Sequence, residues 1–417
     1  MAYPTLEKLF YADHSSDRFA SHEARTQQRL ANESTFRTGI QLEHGEFFLA
    51  VPRELSIETE QVLRRERRVS ALWKGLPTIA LGAYIRALIM DEVVYSNEME
   101  GVHSTRRQIE LALEHAQNAG HALKAHGERA PFMEFANLYL NLTRNQSSPT
   151  SLEEIRAVYD SVVADALDPS DLPEKTLFRR GPVVIEDERG KTIHVGVTPE
   201  AAIERMMNQW LLLSQREDMP ELYSAMLCHF LFGYIHPFYD GNGRTGRYLL
   251  ALQLSRPLSQ PTTLSLSRVI AENKAEYYKA FDITERRLNH AEGTHFVLTM
   301  LDLVGQAQAG LITDLESKRT SIERVRERVA GLEKTLSERA CDVLFYAAQM
   351  YLFDAFQEIR ANRLQDYLQA TAPTVRKYLG KLCETGYLVR VSARPPIYKL
   401  TIRGIEALGL PGGLTAI

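Results

Sequence analysis

The sequence predicts a mainly α-helical protein with more than one domain. At 417 residues it exceeds the usual size of a single domain, and a hydrophobic fraction of 44% can fill real cores. Apolar residues recur at helical spacing through most of the chain, whereas β-branched runs typical of strands are few and short. We therefore expect helices throughout, with short strands near the N-terminus, at one internal hairpin and near the C-terminus.

Composition argues against several function classes. A net charge of −4 builds in no general attraction to nucleic acid or to anionic membranes. The cysteines Cys228, Cys341 and Cys383 lie far apart without CxxC spacing, which argues against a disulfide framework or a zinc site. The N-terminus lacks a basic region followed by an apolar core, and no run approaches about 18 apolar residues. We expect a cytoplasmic protein that does not enter a membrane.

Helical periodicity predicts most elements in the first half of the chain. Residues 1–40 are polar and are expected to be irregular. The predicted elements that follow are a strand at Phe47–Val51 and helices from about Ser56 and at Ala80–Gly101, Arg106–Ala119, Phe132–Arg144 and Ser151–Ala166. A loop is expected at Asp168–Pro173. The basic run Arg64–Arg68 contains Glu66 at helical spacing, which favours a solvated helix face over a nucleic-acid patch.

The middle of the chain predicts a hairpin followed by helices. Gly181–Ile185 and Thr192–Val197 flank the polar turn Glu186–Lys191 with β-branched residues, so they predict a β-hairpin. His194 in this hairpin has no special spacing and is expected to be exposed rather than catalytic. The helices predicted after it are Ala201–Ser214, Glu221–Tyr234, Arg244–Ser255 and Leu266–Phe281.

Beyond Gly310 the pattern changes to a long helix with one apolar seam. The apolar seam repeats at intervals of three or four residues, or a sum of these, and the positions between are mostly charged. Its residues are Leu315, Ile322, Val325, Val329, Leu332 and Leu336. Such a seam packs either on the rest of the chain or on a second copy of it. A homodimer therefore stays open as an alternative.

The C-terminal segment predicts a helix-turn-helix followed by two strands. The predicted elements are helices at Arg363–Leu368 and Thr374–Glu384 around the turn Ala370–Pro373, and strands at Gly386–Val391 and Ile397–Leu400. This order resembles a winged-helix domain. Residues 340–417 contain nine basic and six acidic side chains, and Arg376, Lys377 and Lys381 lie on the candidate recognition helix. Duplex DNA and a docking protein both stay open as its partner.

The stretch Ile235–Arg247 contains groups that can bind phosphate. Pro237 ends a helix at His236, and the Gly241-Asn242-Gly243 segment can turn successive backbone N–H groups inward, which creates an anion site at the start of the next helix. Arg244 and Arg247 lie one helical turn apart, so their guanidinium groups can bind neighbouring phosphates.

The same stretch also supplies a candidate metal ligand and a candidate base. Asp240 would lie beside the phosphates, where Mg²⁺ is held by one or two carboxylates together with substrate oxygens. The imidazole of His236 can take a proton from an attacking hydroxyl near pH 7. The structural alternative is a plain turn that caps a helix, with solvated arginines and a core histidine.

The full string from His236 to Arg247 resembles, position by position, the Fic-domain signature HPFx[DE]GNGRxxR. The resemblance implies an adenylyltransferase that moves AMP from Mg-ATP to a protein hydroxyl, with release of pyrophosphate. It implies His236 as general base and Asp240 as magnesium ligand. The residues that it assigns to phosphate binding are Gly241, Asn242, Gly243, Arg244 and, for the γ-phosphate, Arg247.

A second string, Ser96–Gly101, resembles the family's inhibitory pattern [ST]xxxE[GN]. The resemblance implies that Ser96 and Glu100 lie on an inhibitory helix and that Glu100 pairs with Arg247. A bidentate pair there would occupy the place of the γ-phosphate and exclude ATP in its productive pose. Because the string precedes the motif in the same chain, the inhibition would be intramolecular. Without the resemblance, Ser96 and Glu100 would be interpreted as exposed helix positions.

Two further segments acquire roles from the resemblance, which covers roughly residues 80–300. The predicted hairpin corresponds to the flap that registers a target peptide by strand addition. Asn273 and Tyr277 belong to a segment that the family places against adenine, so we name both as nucleotide contacts.

We therefore predict a mainly α fold, with a helical Fic core, a β-hairpin flap and a C-terminal winged helix-turn-helix domain. The predicted parts are an N-terminal region 1–79, a Fic domain 80–305 with inhibitory helix 80–101, flap 181–198 and motif 236–247, a connecting helix 306–339 and a winged-helix domain 340–417. The predicted function is an autoinhibited protein adenylyltransferase that uses ATP and Mg²⁺ on an unidentified target protein or on itself. The alternatives are a DNA-binding regulator whose Fic core senses nucleotide, and a de-AMPylating enzyme in which Glu100 orients water.

Overall fold

The computed structural model describes residues 3–119, 131–142, 147–164, 176–186, 190 and 192–412. Within these residues the protein is mostly helical with a few short strands, which confirms the predicted fold class. The chain divides into two compact units: unit 1 contains residues 1–66 and 89–308, and unit 2 contains residues 67–88 and 309–417. The unit boundaries fall inside helices, and the division into four parts expected from the sequence stays a prediction.

The N-terminal region is more regular than the sequence predicted. Its elements are α1 (Leu6–Ala12), α2 (Arg18–Leu30), β1 (Phe36–Leu42) and β2 (Gly45–Leu49). The expectation of irregular structure over residues 1–40 is wrong, because the buried positions of α2 are His22 and Thr26 and therefore leave no apolar periodicity. β1 and β2 pair antiparallel around the turn Glu43-His44.

Five helices follow, close to the predicted bounds. They are α3 (Arg53–Lys74), α4 (Thr78–Met99), α5 (Arg106–Ala119), α6 (Met133–Asn141) and α7 (Leu152–Val163). Gly101 after α4 has a φ of 72°, the left-handed conformation that glycine adopts at a helix end without strain. The solvated face expected around Glu66 is wrong at that residue, because its buried carboxylate accepts hydrogen bonds from Thr262 and Gln308.

The predicted hairpin is present between α7 and the central helices. β3 (Val184–Glu186) and β4 (Thr192–Val195) pair antiparallel, with Val184 opposite Val195 and Ile185 opposite His194. The tip residues 187–189 and 191, and the loop predicted at Asp168–Pro173, lie outside the described residues. We call residues 181–198 the flap.

The remaining elements of unit 1 surround one central helix. They are α8 (Glu200–Ser214), α9 (Glu221–Ile235), α10 (Asn242–Leu254), α11 (Gln260–Thr263), α12 (Leu266–Glu272), α13 (Lys274–Glu285) and a 3₁₀ turn (Arg287–Asn289). α9 is buried on all sides, as expected for a helix that is apolar all round. α10 begins two residues before the predicted start, with Gly241 as its N-cap. The helix predicted over Leu266–Phe281 is interrupted at Asn273, whose ψ of 34° is not helical.

The long helix predicted after Gly310 begins earlier, since α14 extends over Thr294–Leu332. Leu315, Ile322, Val325 and Val329 of its seam are buried inside the chain, which favours the packing alternative over a dimer seam. Leu336 lies beyond the helix end. By length and composition α14 could cross a membrane, but more than half of its most apolar window is buried inside the chain, as is common for a core helix.

Unit 2 ends in a small mixed module. Its elements are α15 (Glu338–Phe353), β5 (Ile359–Arg360), α16 (Ala361–Leu368), α17 (Ala372–Glu384), β6 (Leu388–Ala393), β7 (Pro396–Leu400) and α18 (Ile402–Ala407). The strands form an antiparallel sheet in the order β5-β7-β6. The two-residue strand β5 was missed because it is too short to show alternation. The helix-turn-helix and the two later strands were predicted, and the assignment of the module as a winged helix stays a prediction.

Candidate active site

A cavity of about 770 Å³ lies in unit 1, within the size range of small-molecule sites. It is bounded by the start of α10, the flap, α13 and the β1–β2 turn. The residues of the predicted site that line it are Glu100, His236, Asn242, Gly243, Arg247 and Tyr277. The structure thus brings together residues that are up to about 180 positions apart in the chain.

The loop between α9 and α10 is held by its own backbone and by one amide side chain. α9 ends at His236, whose left-handed φ of 52° turns the chain away from the helix axis. The Asn242 side chain both donates to Phe238 O at 2.8 Å and accepts from Phe238 N at 2.9 Å. Gly241 has a φ of 74°, and a Cβ there would overlap the side chain of Val163. The side chain of Asn242 is therefore used to hold the loop. Only the backbone of Asn242 remains for a contact with phosphate.

Arg244 is buried without hydrogen bonds. Its side chain is 0% exposed, and none of its three guanidinium nitrogens has a hydrogen-bond partner among the described residues. The closest charge is Asp240, with Nη2 and Oδ2 separated by 3.7 Å. Burial lowers the pKa of Arg244, because removing a cation from water without hydrogen bonds is unfavourable. Such a group is suited to receive an anionic ligand.

Arg247, one turn further along α10, has hydrogen-bond partners for all three guanidinium nitrogens at the C-terminal end of α4. Nε donates to Ser96 Oγ at 3.1 Å, and Nη2 donates to Ser96 O at 2.7 Å. Nη1 and Nη2 both donate to Glu100 Oε1, each at 3.1 Å. Glu100 and Arg247 are thus paired as expected, but both Nη groups share one carboxylate oxygen instead of forming two parallel bonds, and the contacts of Ser96 were not predicted.

The Glu100 carboxylate lies directly on the N-terminal turn of α10. A Cβ at position 243 would overlap this carboxylate and crowd the Arg247 guanidinium, so only glycine leaves the space. A carboxylate is also favoured at a helix N-terminus by the unpaired backbone N–H groups. Glu100 therefore occupies the kind of position in which a phosphate would be bound.

Glu92, two turns before Glu100 on α4, was not recognised in the sequence. Its buried carboxylate accepts hydrogen bonds from Ser267 N at 2.9 Å and from Ser267 Oγ at 2.5 Å. Burial raises the pKa of Glu92 to about 7. A single glutamate on a helix gives no sequence signal of this kind, because its partner lies 175 positions away.

His236 faces the cavity as a neutral imidazole. Burial, followed by the nearby His194, lowers the pKa of His236 to about 4. A lone pair is therefore present at neutral pH, which a group that accepts a proton requires. The structure supports the protonation state that the base hypothesis needs, while the catalytic role stays a prediction.

The other predicted site residues have different environments. Asp240 is 52% exposed and accepts a hydrogen bond from Gly241 N. Tyr277 lines the cavity, and its hydroxyl is 2.7 Å from Nε2 of the buried His229. Asn273 does not line the cavity, and its amide donates to Val269 O and Gln306 Oε1.

The expectation that His194 is exposed is wrong. Its side chain is only 9% exposed and contacts the Glu285 carboxylate and the Tyr234 carbonyl. The alternation of the hairpin gave no signal for this, because the burial comes from α13 and the end of α9 rather than from the strand partner.

Arg179 is the main residue of the site that the sequence did not indicate. This buried arginine donates Nε to His236 O at 2.7 Å, Nη1 to Gly181 O at 2.6 Å and Nη2 to Val197 O at 2.7 Å. One guanidinium thus joins the candidate base to both ends of the flap. A Cβ at Gly196 would overlap this guanidinium, so glycine is required there.

Comparison with known proteins supports the resemblance. Residues 149–254 match the model of the Fic/DOC family. A protein adenylyltransferase Fic from Nematostella vectensis is 25% identical over 254 residues, 60% of this chain and 55% of that protein. A protein of the same name from Drosophila mojavensis is 28% identical over 235 residues, 54% of this chain and 44% of that protein. The chain thus spans about half the length of the curated relatives it matches.

One solved structure supports the fold alone. A Fic family protein from Desulfovibrio desulfuricans G20 superposes with a TM-score of 0.51 at 18% identity, covering 84% of this chain and 97% of that one. Since the identity is low, the likeness concerns the path of the chain and not the chemistry of the site.

We predict that Arg179→Lys destabilises the protein by about 2–3 kcal/mol, because lysine cannot reproduce three forked bonds to separate carbonyls. Thermal and urea unfolding followed by circular dichroism measures the change. Arg180→Lys is the matched control, since Arg180 is 74% exposed and should leave stability within about 0.5 kcal/mol. Equal stability of the two variants would show that Arg179 does not fasten the loop and flap.

Proposed function

Because the chain contains a Fic domain at residues 149–254, we propose that the protein transfers AMP from ATP to a hydroxyl of a protein and that α4 inhibits this activity. The single observation that carries the proposal is Arg244, a buried guanidinium with no hydrogen-bond partner in the described parts of the chain. A phosphate supplies the negative charge and the acceptor oxygens that this group lacks. The relatives named protein adenylyltransferase support ATP as the source of that phosphate.

Phosphate binding would use the turn and the helix together. The N-cap Gly241 and the first residues of α10 present backbone N–H groups at a helix N-terminus, where anions are stabilised. Arg244 lies on the same turn and would hold oxygens of the α- and β-phosphates. Arg247 would reach the γ-phosphate only after Glu100 has left it.

The oxygen ligands that the site offers fit an Mg²⁺ ion bound both by a protein carboxylate and by phosphate oxygens. No group of three or more potential ligands is found among the described residues, so protein side chains alone would not form a closed metal site. Asp240 offers one partly exposed carboxylate beside the anion site, and Mg²⁺ commonly binds one or two carboxylates plus phosphate oxygens. Bound Mg²⁺ would neutralise charge on the phosphates during transfer.

His236 would act on the acceptor hydroxyl. The neutral imidazole takes the hydroxyl proton while the oxygen attacks the α-phosphorus, and the bond from that phosphorus to the bridging oxygen breaks. The pyrophosphate leaves with the bonding electron pair. Arg179 keeps the His236 backbone in place during this step through its bond to His236 O.

The flap would hold the target beside His236. Val184, Ile193 and Val195 are about half exposed on the hairpin, and a two-stranded hairpin has free edges. An extended peptide that pairs with one edge of the hairpin forms backbone hydrogen bonds whatever its own amino-acid sequence. The identity of the target therefore depends on other surfaces.

Inhibition would follow from competition for Arg247. The Glu100 carboxylate is 20% exposed and the Arg247 side chain is 2% exposed, so the pair is mostly removed from solvent. A hundredfold suppression needs about 2.7 kcal/mol of preference for this closed arrangement. One charged pair in such surroundings can supply that amount.

A second candidate function concerns unit 2, where α17 has a basic exposed face. Val375, Leu379 and Leu382 are buried on one side of the helix, while Arg376, Lys377 and Lys381 are exposed on the other. This arrangement supports binding of duplex DNA by the helix. The protein would then combine a nucleotide-dependent unit with a DNA-binding unit.

The decisive experiment incubates the protein with ATP labelled at the α-phosphate and measures both nucleotide binding and covalent label. Under the proposal His236→Ala binds ATP but does not transfer label, whereas Arg244→Met loses both. If wild-type protein instead removes labelled AMP from a target that already carries it, the de-AMPylating alternative is favoured. Retained labelling in His236→Ala contradicts the mechanism.

Arg244→Met should also stabilise the protein without nucleotide, by about 1–3 kcal/mol, because it removes a buried cation that lacks hydrogen bonds. Chemical unfolding measures this change. Arg256→Met, at an exposed position of the same unit, should change neither stability nor nucleotide binding. A destabilised Arg244→Met that still binds ATP would show that Arg244 is structural.

We predict that Glu100→Gly raises AMP transfer by an order of magnitude or more, since it frees the Arg247 guanidinium. Autolabelling at matched Mg²⁺ and protein concentrations measures the gain. The double variant Glu100→Gly, Arg247→Ala should lose it, a non-additivity expected when two residues share one interaction. Unchanged labelling in Glu100→Gly would show that Ser96–Gly101 is an ordinary helix end without an inhibitory role.

For the second function, we predict that the full chain binds mixed duplex DNA at low salt and that affinity falls steeply towards physiological salt. Charge reversal by Arg376→Glu and Lys381→Glu should abolish the mobility shift. The control variants Arg326→Glu and Lys334→Glu reverse exposed charges of the same unit outside α17 and should leave the shift in place. An equal loss of the mobility shift in the α17 variants and in the control variants would show that DNA is attracted only by the overall charge of the unit.

A further inference from the structure

His194, in the flap, is enclosed between two hydrogen-bond acceptors. Its Nδ1 lies 2.6 Å from Glu285 Oε2 on α13, and its Nε2 lies 2.8 Å from the Tyr234 carbonyl at the end of α9. A carbonyl oxygen cannot donate, so Nε2 must carry a hydrogen. An ionised carboxylate cannot donate either, so Nδ1 must carry one as well.

The surroundings favour the charge on the ring. Burial opposes it, but the hydrogen bond and the charge of Glu285, together with the Tyr234 carbonyl, raise the pKa of His194 above its ordinary value. The charged or titratable groups that face the ring are Glu285 on α13, Tyr234 and His236 at the end of α9, and Arg179 before the flap. Glu285 is thus the single anion in this set.

We propose that His194 is a positioning residue which, as an imidazolium, fastens β4 of the flap to the C-terminal end of α9 and thereby fixes the flap relative to His236. This adds an attachment at β4 to those at the flap ends, where Arg179 binds Gly181 O and Val197 O, Gly181 N donates to the Tyr239 hydroxyl and Val197 N donates to Ile235 O. The anchored carbonyl, Tyr234 O, lies two residues before His236 in the chain.

The charge on His194 also acts on His236 through space. The two ring centroids are 6.4 Å apart, so a cation at His194 disfavours a second cation at His236. His194 would therefore keep the candidate base in its neutral form as well as holding the flap. The influence of His194 on catalysis through His236 rests on the proposed AMP transfer. The protonation state of His194 does not depend on that proposal.

The attachment depends on pH in a defined direction. Because the folded state raises the pKa of His194, its contribution to stability is complete below the ordinary value of about 6.5 and is lost as the pH rises through the raised value. On the alkaline side one of the two hydrogen bonds disappears. The flap should then detach at β4 while Arg179 still holds its ends.

Nuclear magnetic resonance of protein labelled with ¹⁵N-histidine tests the proposal without any activity measurement. Both ring nitrogens of His194, identified by their loss in His194→Gln, should carry hydrogen below a titration midpoint that lies above the ordinary value of about 6.5. In His194→Gln the pKa of His236 should rise from about 4 towards its ordinary value. His115→Gln, at an exposed histidine of α5, should change neither result. A titration midpoint of His194 at or below about 6.5, or an unchanged titration of His236, overturns the proposal.

Labelling with ATP over a range of pH separates this proposal from the function on which it rests. If wild type never transfers AMP, the proposed function fails while the resonance result still decides the state of His194. If wild type is active, His194→Gln should be about 10- to 100-fold slower, because a loosened flap misplaces the reactants. Glu285→Gln keeps an acceptor without the charge, so it should retain more activity than His194→Gln and move the alkaline loss of activity to lower pH. An unchanged rate and pH profile in His194→Gln overturns the positioning role.

Discussion

The contact of the Arg247 guanidinium with Ser96 and Glu100 is the interaction on which the arrangement of the site depends. Ser96 lies on α4 and Glu100 directly follows its last residue, Met99, so a single side chain joins the end of that helix to the start of α10. Gly243 is the condition for this contact, because any larger residue would displace the Glu100 carboxylate. The contrast with Arg244 is informative. These two arginines lie one turn apart on α10, yet every guanidinium nitrogen of Arg247 has a hydrogen-bond partner and none of Arg244 has one among the described residues.

The loop between α9 and α10 is held by apolar packing, in which the buried Phe238 stacks on Tyr159, and also by buried polar bonds. Asn242 bridges the backbone at Phe238, Arg179 binds carbonyls of the loop after α9 and of both flap ends, and His194 adds a further attachment. Each of these groups is unfavourable to bury unless its bonds are made, which makes the arrangement specific. Under the proposed function this specificity matters, because a displacement of about 1 Å is enough to lower a rate by about a hundredfold.

The sequence predicted local features well and distant contacts poorly. The string from His236 to Arg247 and the string Ser96–Gly101 were recognisable because their residue types stand at short, fixed spacings. The contacts of Glu92 and Arg179 were not, since each depends on a partner that only the fold brings near. His194 was placed on the surface because the hairpin alone exposes it. α2 was missed because the polar side chains His22 and Thr26 occupy its buried positions, and α1 because it is only seven residues long.

The most direct test of the claim that Glu100 occupies the γ-phosphate position is the ratio of affinities for ADP and for a non-hydrolysable ATP analogue, measured by calorimetry with Mg²⁺. ADP does not need Arg247, so wild type should bind ADP at least as tightly as the analogue. In Glu100→Gly the analogue should gain about tenfold or more relative to ADP, which corresponds to about 1.4 kcal/mol. A wild-type preference for the analogue that stays the same in Glu100→Gly would contradict the claim.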